Sequence, residues 1–357
     1  SDDRCPQHAR GAPRWAIWRP SVSFMDPVTQ GVLGACAAQA RGAPRLLGKA
    51  AIIGALAGMA PDLDILIRSA SDPLLTLDYH RQFTHSLFFI PFGGLLCAVA
   101  LHPLLGRRWD LSFRQVLLWC LLGFATHGLL DWCTSYGTKL LWPLSDARYT
   151  LDIISIIDPL FTLPLLFLTL RAARTRRRLY VSCAWAWCTA YLALGVVQHE
   201  RAEALARTLA ESRQHQPEHL EVKPSFANLA VWKSMYLHDG KLYVDAVKPG
   251  IAASHIWPGQ HIRLLDVRRD LPWLDSASQQ ARDIERFHAA SMGFIAVDPA
   301  DPLRIGDMRY SLLPHQLGPL WSIVLSPTAP ANAHVGFHAE RLNAGAALNE
   351  LIEMVFE

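Results

Sequence analysis

Residues Phe113–Trp132 read FRQVLLWCLLGFATHGLLDW. The run is close to the ~20 residues that an α-helix needs to cross a bilayer. Two ionisable side chains, His127 and Asp131, lie near its end. At i and i+4 they stack on one helix face. Ionisable groups beside apolar segments are costly, and several at one end of several segments point to a site at a membrane surface.

Such groups recur along the first half of the chain. Asp62 and Asp64 close an apolar run in PDLD, His80 and His85 open another in HRQFTHS, and Asp158 heads a further one in IIDP. Two more runs, Gln82–Leu105 and Leu179–Val197, are long enough to span, while Ile157–Leu170 is shorter. Val28–Ala40 and Leu46–Ala60 are shorter still and rich in Gly and Ala. Small residues of this kind let helix backbones approach, so these two form a close-packed hairpin.

The chain has 357 residues, 51% of them hydrophobic. That is too apolar for an ordinary soluble protein and too polar for a membrane protein throughout, so two domains are expected. Residues 25–199 form an α-helical polytopic membrane domain of about four to six helices holding the metal site. Residues 200–357 form a soluble α+β domain, and residues 1–24 a disordered extension. The extension carries Arg4, Arg10, Arg14 and Arg19 without an apolar core, so it is not a signal peptide, and Met25 reads as a natural start.

Basic residues set the orientation. Arg41, Arg45 and Lys49 lie in one loop, Arg107, Arg108 and Arg114 in a second, and Arg171, Arg174, Arg176, Arg177 and Arg178 in a third. The positive-inside rule makes these loops cytoplasmic. Loops 61–82 and 133–156, and everything after His199, then face outward. This topology, drawn from the basic residues alone, gathers every acid and histidine named above at one membrane face. The net charge of +3 and the absence of a basic patch with interleaved aromatics disfavour a nucleic-acid partner. The seven cysteines form no CxxC pair and mostly sit in apolar runs, as small buried side chains do.

Imidazole with carboxylate and no thiolate suits zinc or manganese, and a carboxylate-rich set suits magnesium. The donors Asp62, Asp64, His80, His85, His127, Asp131 and Asp158 suffice for one or two divalent ions. Such ions lower the pKa of water to roughly 7 and so support hydrolysis. All of these but His85 also have a simpler role open to them. Asp62 or Asp64 can cap a helix from Ile65. His80 can be an interfacial loop residue and His127 a packed core residue. Asp131 can pair with Arg81 or Lys139, and Asp158, before Pro159, can be an N-cap.

Taken together, MDPVTQGVLGA (25–35), GALAGMAPDLD (54–64), HRQFTHSLFF (80–89), HGLLDWCTSYGTKLLWPLSD (127–146) and TLDIISIIDPLFTLPLL (150–166) resemble the bacterial inner-membrane, metal-dependent hydrolases of the YdjM-like type. PSFANLAVWK (224–233), RFHAASMGFIAVD (286–298) and GDMRYSLLP (306–314) match more loosely. The resemblance implies that Asp62, Asp64, His80, His85, His127 and Asp131 carry the polar site. It adds Asp26, Gln30, Thr84, Ser86, Thr134, Tyr136, Gly137, Thr138, Asp152 and Asp158 as neighbours.

Thr84, Ser86 and Arg81 have the chemistry to bind an oxyanion or phosphate, and Arg81 or Lys139 to steady developing charge. The expected function is a multi-pass hydrolase of the bacterial inner membrane, cleaving a phosphoester or other ester of a lipid or envelope substrate at the outer, periplasmic side. The alternative is a non-catalytic metal-binding or ion-transport protein, and polar groups gathered at one face favour the hydrolase.

In the second half, Val231–Leu237 and Lys241–Val247 read as strands joined by a hairpin at His238-Asp239-Gly240. Further strands are expected at Gly293–Val297, Met308–Leu312 and Leu320–Leu325, and helices at Ala277–Ala290 and Ala339–Phe356. His255, His261, His288, His315, His334 and His338 lack ligand spacing.

Overall fold

Small residues decide how the first helices meet. In this computed structural model, which describes residues 27–250, 253–339 and 344–357, α1 (Pro27–Ala40) and α2 (Leu47–Met59) form the expected hairpin. A short loop helix, α3 (Leu75–Tyr79), precedes α4 (Ile90–Leu101) and α5 (Phe113–Cys133). A Cβ on Gly54 would lie 2.4 Å from the Gly34 carbonyl oxygen, and one on Gly123 2.4 Å from the Gly54 oxygen. Glycine is therefore required where α1, α2 and α5 touch backbone to backbone. The expected extension 1–24 and Asp26 lie outside the described residues.

Four helical segments, Pro44–Leu66, Leu87–Trp109, Phe113–Cys133 and Arg178–Ser212, are long and apolar enough to cross a bilayer. Large apolar side chains such as Phe92, Leu96 and Leu194 point outward from them, as lipid-facing residues do. Helix α5 starts at a capping box, Ser112 with Gln115. Helix α6 (Pro159–Thr175) starts with proline at its first position and Asp158 as its cap.

Helix α7 (Arg178–Ser212) has 35 residues, roughly 50 Å at 1.5 Å per residue, against a hydrocarbon core of about 30 Å. It leaves the membrane without a break. Ala202 and Ala206 on its last turns share one apolar core with Val222, Trp232 and Val247 of the second half. The division expected at 199/200 thus falls inside a continuous helix.

The second half is α+β, as expected. Strands β1 (His219–Pro224), β2 (Trp232–His238), β3 (Lys241–Lys248) and β4 (His255–Arg263) form one antiparallel sheet in sequence order. After α8 (Val267–Asp270) and α9 (Gln279–Ala290), strands β5 (Ile295–Asp298), β6 (Asp301–Asp307), β7 (Trp321–Val324) and β8 (Gly336–Ala339) form a second. Helix α10 (Ala344–Phe356) closes the chain. The β2–β3 turn uses Asp239 at φ 49° and Gly240 at φ 67°, the left-handed pair that a two-residue hairpin demands.

One strand differs from expectation. Met308–Leu312 turns instead of extending, and the strand is Asp301–Asp307. Asp307 accepts from the Arg309 backbone and guanidinium N–H groups, and such local side-chain bonds compete with a sheet ladder.

Loops 61–89 and 133–156 lie beneath the second half. Leu74 and Tyr136 join the apolar cluster of Ile323 and Trp321. Tyr310 Oη donates to the Ser135 carbonyl at 2.6 Å, and Arg286 pairs with Asp72 at 2.9 Å and Asp78 at 2.6 Å.

Candidate metal centre

At this end of the helices, four side chains distant in sequence converge. His127 and Asp131 project from the last turns of α5, Asp62 from the turn Ala60–Leu66 that ends the second apolar segment, and His85 from the turn Phe83–His85. Gly128, inside the HGLLD motif, makes the approach: a Cβ there would lie 2.2 Å from the His85 carbonyl oxygen. His85 Nε2 and His127 Nε2 are 3.0 Å apart. Asp62 Oδ1 is 3.4 Å from the first and 3.3 Å from the second. Asp131 Oδ2 is 3.3 Å from His85 Nε2 and 3.9 Å from His127 Nε2.

Hydrogen bonds at the back of each ring fix what these nitrogens present. His127 Nδ1 lies 2.6 Å from the Gly58 carbonyl oxygen, which can only accept, so Nδ1 carries a proton and, in the neutral ring, Nε2 carries the lone pair. Thr84 Oγ1 donates to Asp64 Oδ2 at 2.7 Å and therefore accepts from His85 Nδ1 at 2.9 Å. In the neutral ring His85 Nε2 is then a lone-pair nitrogen too, so the 3.0 Å contact between the two Nε2 atoms needs a proton or a cation between them. Asp62 Oδ1 and Asp131 Oδ2 are buried without hydrogen-bond partners.

Asp62 Oδ1 and the two Nε2 atoms face one another, with Asp131 Oδ2 on the His85 side, and buried groups of this kind that take no hydrogen bond are costly. The residues present fit a metal. Tetrahedral bonds of about 2.0–2.1 Å give ligand–ligand edges of about 3.3–3.4 Å, and the 3.0, 3.3 and 3.4 Å edges of the Asp62, His127 and His85 triangle bracket that value. Asp62, His85 and His127 form one group able to hold an ion, and Asp62, Asp64 and His80 a second.

The supporting residues are equally specific. Asp64 takes His80 Nδ1 at 2.8 Å on one oxygen and the Arg81 N–H and Thr84 hydroxyl on the other. Both its oxygens are engaged, so it organises the histidines. Gln30 of α1 donates to Asp131 Oδ1 at 2.7 Å, leaving Oδ2 for the centre. Arg81 is buried, with Nε 3.2 Å from Asp131 Oδ2 and its guanidinium 4.6 Å above the Tyr136 ring. Its φ of 61° is unusual for a non-glycine residue. That turn lets its backbone N–H reach Asp64 while its side chain reaches Asp131.

Three residues named from sequence stand elsewhere. Asp158 caps α6: Oδ1 accepts from the Leu160 and Phe161 N–H groups and Oδ2 from Tyr191 Oη. Neither candidate group includes it. The Ser86 hydroxyl donates to the Trp142 carbonyl and accepts from the Phe88 N–H, so it serves as a cap and loop tie. The Lys139 ammonium pairs with the exposed Asp146 at 3.0 Å, and only the Lys139 backbone touches this region, through the Arg81 carbonyl.

Among the implied neighbours, Thr134 meets Arg81 Nη1 at 3.4 Å, Gly137 has φ 95°, and Asp152 pairs with Lys223. Gly58 and Gly128 were missed as parts of the site. Gly128 stands inside a motif read only for its His and Asp, and Gly58 acts through a carbonyl that no side-chain pattern reports.

Comparison with known proteins gives the same frame. The family model described as YdjM inner membrane protein matches residues 25–202. Inner membrane protein YbcI of Escherichia coli (strain K12) is 38% identical over 112 residues, which are 30% of this chain and 58% of that relative. The chain thus spans little more than half the length of the curated relative it matches. No solved structure matches it significantly.

Proposed function

We propose a function for a chain that belongs, through residues 25–202, to the YdjM inner membrane protein family: a membrane-bound, metal-dependent hydrolase. Asp62, His85 and His127 would hold one divalent cation, with Asp131 approaching from the His85 side, zinc by their donor chemistry, with manganese or magnesium as substitutes. The observation that carries this reading is the convergence of two imidazole Nε2 atoms with two carboxylate oxygens that accept no hydrogen bond. When bound, the ion supplies a Lewis acid that polarises an ester oxygen and lowers the pKa of water to roughly 7.

The protein side chains do the rest. Asp62 is the one donor of the four with an exposed side chain, 15% against 0% for the others, so substrate approaches from its side. His80, held at Nδ1 by Asp64, keeps Nε2 free to take the proton of the attacking water. Arg81 fixes Asp131 and adds positive charge beside the developing anion. The arginine-rich loops support a periplasmic position for this end by the positive-inside rule, and a site at the bilayer surface favours a phosphoester or other ester of a lipid or envelope molecule.

Metal analysis of the purified chain tests the first part. About one ion per chain is expected, with loss in His85→Ala, His127→Ala and Asp131→Ala. Full metal content in all three variants would sink the centre. A hydrolysis screen with lipid phosphoesters tests the second: turnover should vanish in His127→Ala and fall in His80→Gln with metal retained. A metal-loaded protein inert to every ester points to the ion-transport alternative.

A further inference from the structure

A second buried site lies where the loop between α5 and α6 meets the outer domain. It is a cavity of about 160 Å³, a volume that admits a benzene-sized group. Ser135, Ser155 and Ile156 line its membrane side, just beyond Cys133, where α5 ends, and just before Pro159, where α6 begins. The cavity is thus level with the bilayer surface. Lys223, Lys233 and Arg309 line it from the outer domain.

These three cations differ. Lys223 Nζ pairs with Glu221 at 2.8 Å and Asp152 at 3.2 Å. Arg309 pairs with Asp307 at 2.7 Å. Lys233 is only 4% exposed, yet its ammonium meets Ser311 Oγ at 2.7 Å and the Gln316 carbonyl at 3.1 Å. No carboxylate lies within ion-pair distance of it among the described residues. An ammonium has three protons to donate, and one is unspent. Burial pushes the Lys233 ammonium down to about 7, as expected of a cation without a counter-ion.

Ser135 supplies an independent sign. It is 5% exposed, and its hydroxyl has no hydrogen-bond partner among the described residues. A spare ammonium proton and a spare hydroxyl in one cavity match an anion. Ile156, Trp321 and the half-exposed Phe226 make the remaining wall apolar, which matches an anion borne on hydrocarbon.

We propose that this cavity binds the anionic headgroup of a membrane amphiphile, a phosphate or carboxylate on an apolar chain, with Lys233 as counter-ion and Ser135 as hydrogen-bond donor. The inference does not rest on the metal centre.

Calorimetric titration of the full chain in a neutral detergent tests it. The probes are dioctanoyl phosphatidic acid, dodecanoate, inorganic phosphate and dioctanoylglycerol. At least one anionic amphiphile should bind, the tighter of the two identifying the headgroup, and inorganic phosphate and the uncharged diglyceride should bind at least about tenfold more weakly. Lys233→Met should lose about tenfold or more in affinity for that amphiphile and Ser135→Ala about threefold.

Without ligand, Lys233→Met should melt at or above the wild-type temperature, since it removes an unpaired buried charge. Ser135→Ala removes a group that bonds nothing, so its folding is secure. Metal content should be unchanged in both. Amphiphile binding within twofold of wild type in both variants, or inorganic phosphate binding as tightly as the amphiphile, would overturn the proposal.

Discussion

Four aspartates lie on one stretch of loop and do opposite things. Asp62 and Asp64 face imidazoles in the candidate centre. Asp72 and Asp78 face the Arg286 guanidinium of α9, with Asp283 and His334 completing a network between the two halves. In the second cluster every acid meets a base. In the first, Asp64 meets donors while Asp62 Oδ1, which accepts no hydrogen bond, faces the Nε2 atoms of His85 and His127. Counting acids and histidines does not separate a latch from a metal centre; the charge balance of their partners does.

The sharpest break of this contrast is His127→Ala. It should reduce metal affinity by more than about 100-fold, read as metal content after dialysis against a weak chelator, because it removes a ligand outright. Gln30→Ala should come next, at about tenfold, since Gln30 only orients Asp131. If Gln30→Ala matched His127→Ala, the assignment of roles would be wrong.

The latch should answer to stability alone. Arg286→Ala should cost about 1–2 kcal/mol in denaturant unfolding, modest because the group is partly exposed, with metal content unchanged. Loss of metal in this variant would merge the two clusters into one unit.

The latch also carries a pH signature. Burial pushes the Asp72 carboxyl up, but the Arg286 hydrogen bonds outweigh it and hold the carboxyl below its ordinary value. A depressed carboxyl stabilises fully above its unfolded value of about 3.9 and loses that stabilisation as the pH falls below it. The gap in unfolding midpoint between wild type and Arg286→Ala should therefore be constant from pH 7 to pH 5 and shrink toward pH 3. The smallest effect is expected from Lys139→Ala, within about 0.5 kcal/mol and with full metal content, because its ammonium pairs, among the described residues, with the exposed Asp146 alone.

Much of this was legible in order along the chain. Apolar runs such as Phe113–Trp132 report solvation, which is local, so the membrane helices and the soluble domain could be read directly. The Gly/Ala hairpin was legible for the same reason: only small residues permit the contact between Gly34 and Gly54. Strands β1, β4 and β8 were not, because HLEVKP, HIWPGQHIR and GFHA lack a clean alternation of apolar and polar residues. The Met308–Leu312 stretch misled because its apolar residues mark a packed turn held by Asp307.

The sequence by itself determined the membrane character, the grouping of polar residues at one end of the helices, and the residue types available there. Only the tertiary structure decided which of them converge. It put Asp131 beside Gln30, across 101 positions, and His85 beside His127, across 42. It sent Asp158 to cap α6 and Lys139 to the surface. Solvation is a property of each segment and can be read from composition. A coordination shell is a set of distances between segments, and those are set by how closely glycine-faced helices pack.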